Sequence, residues 1–353
     1  MTDKTQFSKR LLSHPEAAND AALVRIATGK RRVQSVLDQH TVAHRRTLEQ
    51  KISEQGPRPM RVDPHLLGLG IMDLLELNRL REYRHSDTGA QPWYANPATS
   101  VQAVVDRLSH LAPLYSQVTR HGFGNLTGDA LEIVVYKILE RINAAKPRFP
   151  YHGHFFLDQP KQGNRYRKIQ PPKHLGKYQT NKEADFLQFG HDAGPLCIEC
   201  KNLREWIYPN SRDIRELMQK AIDLNCIPVL VARRIHYSAR TNLLEPAGII
   251  AHETYLNYYP ADYTELADKV RDKNSLGFTD VTASEEPHQR TITFFENNLP
   301  RILNRMAESW RRNLPALTDY AHERINLAQL YTAIGSPAGG KWLDFQANGE
   351  PPF

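Results

Sequence analysis

Two apolar stretches joined by one amphipathic helix constrain this chain more than any other feature. Pro195-Leu196-Cys197-Ile198-Glu199-Cys200-Lys201 reads as one strand, and the unbroken apolar run from Ile227 to Ala232 as a second, buried on both faces. Between them Ser211 caps a helix carrying Ile214, Leu217, Met218, Ala221 and Ile222 at helical spacing, and Asn225 and Pro228 bracket its end. A helix connecting neighbouring strands predicts an α/β layer with at least one parallel pairing. Upstream, Ala184-Asp185-Phe186-Leu187-Gln188-Phe189 reads as a further strand, and Gly190-His191-Asp192-Ala193-Gly194 is good hairpin chemistry. His154-Phe155-Phe156-Leu157 is a short strand candidate. Before it, Thr127 reads as an N-cap with Asp129 in the first helical turn. Leu131, Val134, Val135, Ile138, Leu139 and Ile142 then form one apolar stripe, with Glu132 at its margin.

The chemistry concentrates on the first strand. Glu199 and Lys201 are two residues apart, so they share a face with Cys197, while Ile198 and Cys200 point the other way. Flanks this apolar belong to an interior strand, where a carboxylate and an ammonium are costly unless paired or ion-bound. Asp185 reaches the same face from the hairpin partner, and Glu132 approaches from the packed helix. Three carboxylates so close repel one another, and a divalent cation relieves the repulsion. All-oxygen ligation suits Mg²⁺, with Mn²⁺ able to substitute. Cys197 and Cys200 form a C-x-x-C, but they face opposite sides of a strand and no second pair exists, so neither zinc nor a redox pair is expected.

The run Glu132, Asp185, Glu199-Cys200-Lys201 resembles the PD-(D/E)XK nuclease superfamily, the restriction-endonuclease-like fold, over about residues 120 to 260. The resemblance implies a mixed central sheet flanked by helices. It implies Asp185 and Glu199 as metal ligands, with the Cys200 carbonyl as a further ligand and Lys201 as the catalytic lysine. Glu132 would match the acidic residue often found on the first core helix, and Gln219 a supporting glutamine. Ala184 stands where the motif's name has proline. The implied activity is Mg²⁺-dependent endonucleolytic hydrolysis of DNA, first in restriction or anti-phage defence, second in recombination or repair. The competing reading is a DNA-binding regulator with an inactive nuclease fold.

The remainder fits that expectation. From Lys161 to Lys182 no acidic residue occurs, and Lys161, Arg165, Arg167, Lys168, Lys173, Lys177 and Lys182 form a basic segment punctuated by Tyr166 and Tyr178, expected to line the substrate. The net charge of +7 agrees with an anionic partner. Leu80–Arg84 and Pro92–Ala95 around a turn at His85–Gly89, following helices that include one starting at Asp63-Pro64, resemble a winged helix. Arg81, Arg84, Lys30, Arg31 and Arg32 are its candidate phosphate contacts. The expected organisation is a mainly helical domain at 1–118, an α/β nuclease core at 119–260, a helical extension at 261–335 and a Gly/Pro-rich tail at 336–353. Three cysteines suit a reducing compartment, and no stretch is apolar enough to span a bilayer, so a soluble, cytoplasmic protein is expected. Cutting both strands predicts a homodimer, with room for partner proteins in a multi-component system.

Overall fold

The computed structural model describes residues 3–55, 61–89, 91–153, 155–157 and 166–337. The described residues form two units: 3–123 with 265–281, and 124–264 with 282–337. Neither is a single stretch of sequence. Among the described residues no helix is long and apolar enough to cross a membrane.

The first unit runs α1 (Lys9–Leu12), α2 (Asp20–His40), β1 (Val42–His44), α3 (Arg45–Glu49), α4 (Pro64–Glu76), β2 (Arg81–Tyr83), β3 (Trp93–Ala95) and α5 (Val101–Thr119). The expected hairpin is β2–β3, and β1 adds to its other side, giving an antiparallel sheet in the order β1-β3-β2. Asn19 caps α2, and Leu23, Ile26, Val33 and Leu37 from that helix pack with Leu66, Leu67 and Leu74 of α4. One expectation about DNA contact is corrected here. Lys30 is buried: it forms an ion pair with the fully buried Asp73 and donates to the Gln6 carbonyl at 2.8 Å. A cation committed this way is not a phosphate contact. The Asp73 carboxylate also accepts the Ser8 N–H at 2.8 Å, tying the start of α1 to α2 and α4. Helix α4 itself contains no Lys or Arg and is buried from Pro64 to Ile71. It offers no polar face to a groove.

The second unit begins inside α6 (His121–Ala145). This helix starts before Thr127, which is therefore not its N-cap; the Thr127 hydroxyl donates to the Gly124 carbonyl at 2.9 Å within the helix. Phe123 and Thr127, both buried, extend the stripe of Ala130, Leu131 and Val134 backward at helical spacing. The strands β4 (Tyr151–Gly153), β5 (Phe155–Leu157), β6 (Tyr166–Lys168), β7 (His174–Leu175), β8 (Tyr178–Gln179), β9 (Phe186–Gln188) and β10 (Leu196–Lys201) follow. Helix α7 (Arg212–Asp223), β11 (Ile227–Ala232) and β12 (Ile250–Glu253) complete the core. The strand expected at 154–157 is β5, which pairs with β6, His154 lying outside the described residues; β4, which joins the main sheet, was not expected.

The main sheet is mixed, in the order β12-β11-β10-β9-β4. The run β10–β11–β12 is parallel, with Glu199 beside Leu230, while β9 is antiparallel to both β10 and β4. Ser211 caps α7 as expected, accepting the Asp213 N–H. Ile198, Cys200, Val229 and Val231 share one apolar core with Leu131, Val134, Val135 and Ile138 of α6. The opposite face meets α7, over which the long helix Leu299–Ala321 packs. The sheet is thus flanked by helices on both sides, and each side chain of β10 is committed to one layer or the other.

Candidate active site at the end of β10

The last three residues of β10 lie where the hairpin partner runs out. One step beyond the Phe186–Ile198 pair, Asp185 falls opposite Glu199. Because β9 has ended, the Cys200 N–H has no carbonyl across from it. Asp185 supplies the missing acceptor, its Oδ2 taking that hydrogen bond at 2.6 Å. The carboxylate is thereby fixed by the backbone of the strand that carries Glu199 and Lys201.

Glu199 is only 2% exposed, and both of its oxygens are engaged by ammonium groups. Lys201 Nζ lies 2.7 Å from Oε1, and Lys220 Nζ, from α7, lies 2.6 Å from Oε2. Asp213, in the first turn of α7, is a further carboxylate 3.8 Å from Lys201. Lys220 is buried, whereas Lys201 is partly open. Lys220 was not anticipated. Its signal was a lysine between Leu217 and Ala221 on the apolar arc of a capped helix, where an uncompensated charge has no place. Gln219, its neighbour, instead lines a recess with Lys182, Arg215 and Glu216.

Electrostatics distinguish these groups. Burial, then the charges of Glu199 and Glu132, push the Asp185 carboxyl well above the usual carboxylate range, against the pull of Lys201 and Lys220. Burial disfavours the Lys201 ammonium, but Glu199 and Asp185 outweigh it and hold its pKa well above the usual lysine range. Lys201 is therefore a fixed cation, not a base. Glu132, half-buried on α6, acts on Asp185 and Cys200, so the helix does bring it to the strand end. Burial keeps all three cysteines as thiols, Cys226 pushed up to about 12, and none is in a disulfide.

Of the basic segment, Lys161 and Arg165 lie outside the described residues, and so does the side chain of Arg167. Lys168 pairs with Asp129 at 2.7 Å and feels Glu132 and Asp185, which places it beside the acidic cluster. Lys173 pairs with Glu183 at 3.2 Å, Lys182 with Glu216 at 3.1 Å, and Lys177 lies over the Tyr178 ring. Arg81 and Arg84 are exposed on the first unit, Arg84 paired with Glu82 at 3.0 Å.

Asn202, the residue after the motif, is a second unanticipated member. Its amide donates to the carbonyls of Thr127 at 2.7 Å and Tyr258 at 2.6 Å. Its Oδ1 accepts from the Tyr258 N–H at 3.1 Å and from Asn257 at 3.0 Å. A fully satisfied buried amide of this kind fixes the strand end rigidly.

Among the described residues no group of three or more His, Cys, Asp and Glu side chains forms a ready metal cage. The oxygens of Asp185, Glu199 and Glu132 are the donor type a hard divalent cation prefers, but both Glu199 oxygens are held by Lys201 and Lys220, so an ion would have to displace one of these ammonium groups. No family model, curated protein or solved structure matches the chain.

Proposed function

We propose that this chain is a metal-dependent endonuclease that hydrolyses DNA phosphodiester bonds at the end of β10. The observation that carries the reading is the buried pairing of Glu199 with Lys201 and Lys220, with Asp185 hydrogen-bonded to the adjacent backbone. A strand interior holds this much charge at a cost of several kcal/mol per ion, which is more often met at functional sites than in purely structural cores. Asp185 and Glu199 are the residues that would hold Mg²⁺, joined by the Cys200 carbonyl and Glu132. When bound, the ion supplies charge neutralisation at the phosphate and a water of lowered pKa.

The chain's own groups divide the remaining work. Lys201, held as an ammonium and partly open to solvent, stabilises negative charge developing on the phosphate oxygens. Lys220 holds Glu199 in its rotamer from behind. Asp185 is oriented by the Cys200 N–H, and Asn202 fixes the strand end. Lys168, exposed and beside the acidic cluster, would contact the substrate phosphate.

The order helix, strand, two helices, two strands, with the sheet order β1-β3-β2, supports a winged-helix reading of the first unit. Since α4 is buried, contact with DNA from this unit falls to Arg81 and Arg84 on and beside β2 and to Arg31 and Arg32 on α2.

Incubating the chain with plasmid DNA and Mg²⁺, beside a chelator control, tests the reading. Cleavage should be metal-dependent, and Lys201→Ala should slow it about 100-fold or more. DNA binding without cleavage of any DNA or RNA would favour an inactive nuclease fold and overturn the proposal.

A further inference from the structure

At the carboxyl ends of the parallel strands, beyond the acidic cluster, lies a cluster of aromatic rings and guanidinium groups that the proposed hydrolysis does not use. The loop leaving β10 carries Trp206 and Tyr208, and it is tightly held. The Ile207 N–H donates to the Arg234 carbonyl at 3.0 Å, and the His236 N–H donates to the Ile207 carbonyl at 2.9 Å. Beneath it, the buried side chain of Arg233 donates to the carbonyls of Leu203 and Arg204. On this frame the Arg234 guanidinium sits 5.7 Å from the Trp206 ring and 4.3 Å from the Tyr255 ring, while Arg290 covers Tyr255 from 4.4 Å, so Tyr255 is already occupied and serves to position the two cations. Tyr237, 49% exposed, joins Trp206 through the His236 ring, which lies 4.5 Å from Tyr237 and 6.0 Å from Trp206.

Rigid rings interleaved with guanidinium groups are the surface on which nucleic-acid bases stack. Every base has a π face, and each arginine adds attraction for the adjoining phosphate. Stacking of this kind needs a base already out of the duplex, because paired bases are occupied with their neighbours. The location fits as well. Trp206 is five residues from Lys201, so they are separated by at most about 17 Å, a length that about five stacked base steps cover.

We infer that the Trp206–Tyr237 surface binds unpaired nucleotides adjoining the phosphodiester presented to Glu199 and Lys201, so that the substrate is single-stranded or locally opened nucleic acid. The inference rests on the nuclease reading for the identity of the neighbouring site, but its test does not depend on cleavage.

Fluorescence anisotropy of the full chain in chelator, with a labelled single-stranded oligonucleotide and a blunt duplex of the same sequence, measures binding alone. The single strand should bind more tightly than the duplex. Trp206→Ala should weaken single-strand binding about ten-fold and duplex binding less than two-fold, and Trp206→Phe should restore most of the loss. Tyr237→Ala, at a position 49% exposed, should weaken single-strand binding in the same selective way. A preference for duplex, undetectable binding of either oligonucleotide, equal losses on both, or unchanged single-strand binding in both alanine variants overturns the inference. Selective losses in a chain that never cleaves would retain the stacking surface and remove the nuclease reading. Cleavage with unchanged binding would do the reverse.

Discussion

At the scale of single residues, the two lysines that meet Glu199 have different duties, and substitution separates them. Lys220 and Glu199 are both buried, so Lys220→Met strands half of a buried ion pair and should cost about 3 kcal/mol in urea unfolding. Lys201 is more open and less essential to packing, so Lys201→Met should cost only about 1 kcal/mol while removing activity. Asp185 behaves in the opposite sense. It is a buried carboxylate beside two others, and Asp185→Asn keeps an oxygen for the Cys200 N–H while discarding the charge. The metal-free variant should be more stable than the parent by about 1 kcal/mol and inactive. Mg²⁺ should raise the melting temperature of the parent but not of the variant. Asp185, Glu199 and Lys201 were legible because strand alternation puts charged groups two apart on one face, and their apolar flanks place that face inside. Lys220 was not, since a lysine on a helix is ordinarily read as reaching for solvent. Lys30 was misread for the same reason: its partner Asp73 is 43 residues away, and nothing local announces that the pair is buried.

At the scale of elements, the hairpin between β9 and β10 sets the site, because its register decides which side chain faces Glu199. Gly190 opens the connecting turn at φ +84°, and a Cβ there would lie 1.6 Å from the Arg148 carbonyl oxygen. No rotamer relieves a clash with backbone. Gly190→Ala should therefore cost more than about 2 kcal/mol and lower cleavage as Asp185 is displaced. Gly176, at φ +57° with nothing within 4 Å of such an atom, is the control. Gly176→Ala should cost only the left-handed backbone penalty of about 1 kcal/mol. Thermal melts of the two variants check the contrast. This hairpin, the capped helix α7 and the buried strand β11 were all legible, since turn residues, a cap and an apolar run are local signals. The start of α6 was obscured by Gly122, Gly124 and Gly128, which weaken helix propensity while burial of Phe123 overrides it. Strand β4 was missed because three residues show no full alternation.

At the scale of the whole molecule, local patterns carry least, and the division into units illustrates why. The segment Glu265–Val281 belongs with the amino-terminal unit by its contacts, a long-range association that no periodicity encodes. Both units nevertheless share one response to acid. His44 in the first is buried against Trp93 and Tyr115, and His252 in the second lies stacked on Phe294 at 4.4 Å, bonded to Thr291 at 3.2 Å. Burial first, then nearby arginines, lowers each from 6.5 to about 3, and burial lowers His65 to about 4. A folded pKa below the unfolded one stabilises the native state above pH 6.5, and that contribution fades as the pH falls toward the folded value. At pH 5 the loss comes to about 2 kcal/mol for each of His44 and His252. Urea midpoints should therefore fall steeply between pH 7 and pH 5, well above the range where ordinary carboxylates titrate. His252→Phe tests the assignment. It leaves the Thr291 hydroxyl without its ring partner, so the variant should be slightly less stable at pH 7.5. Having no imidazole to protonate, it should lose about 2 kcal/mol less than the parent on going to pH 5. Parallel pH profiles for parent and variant would assign the acid sensitivity to other groups.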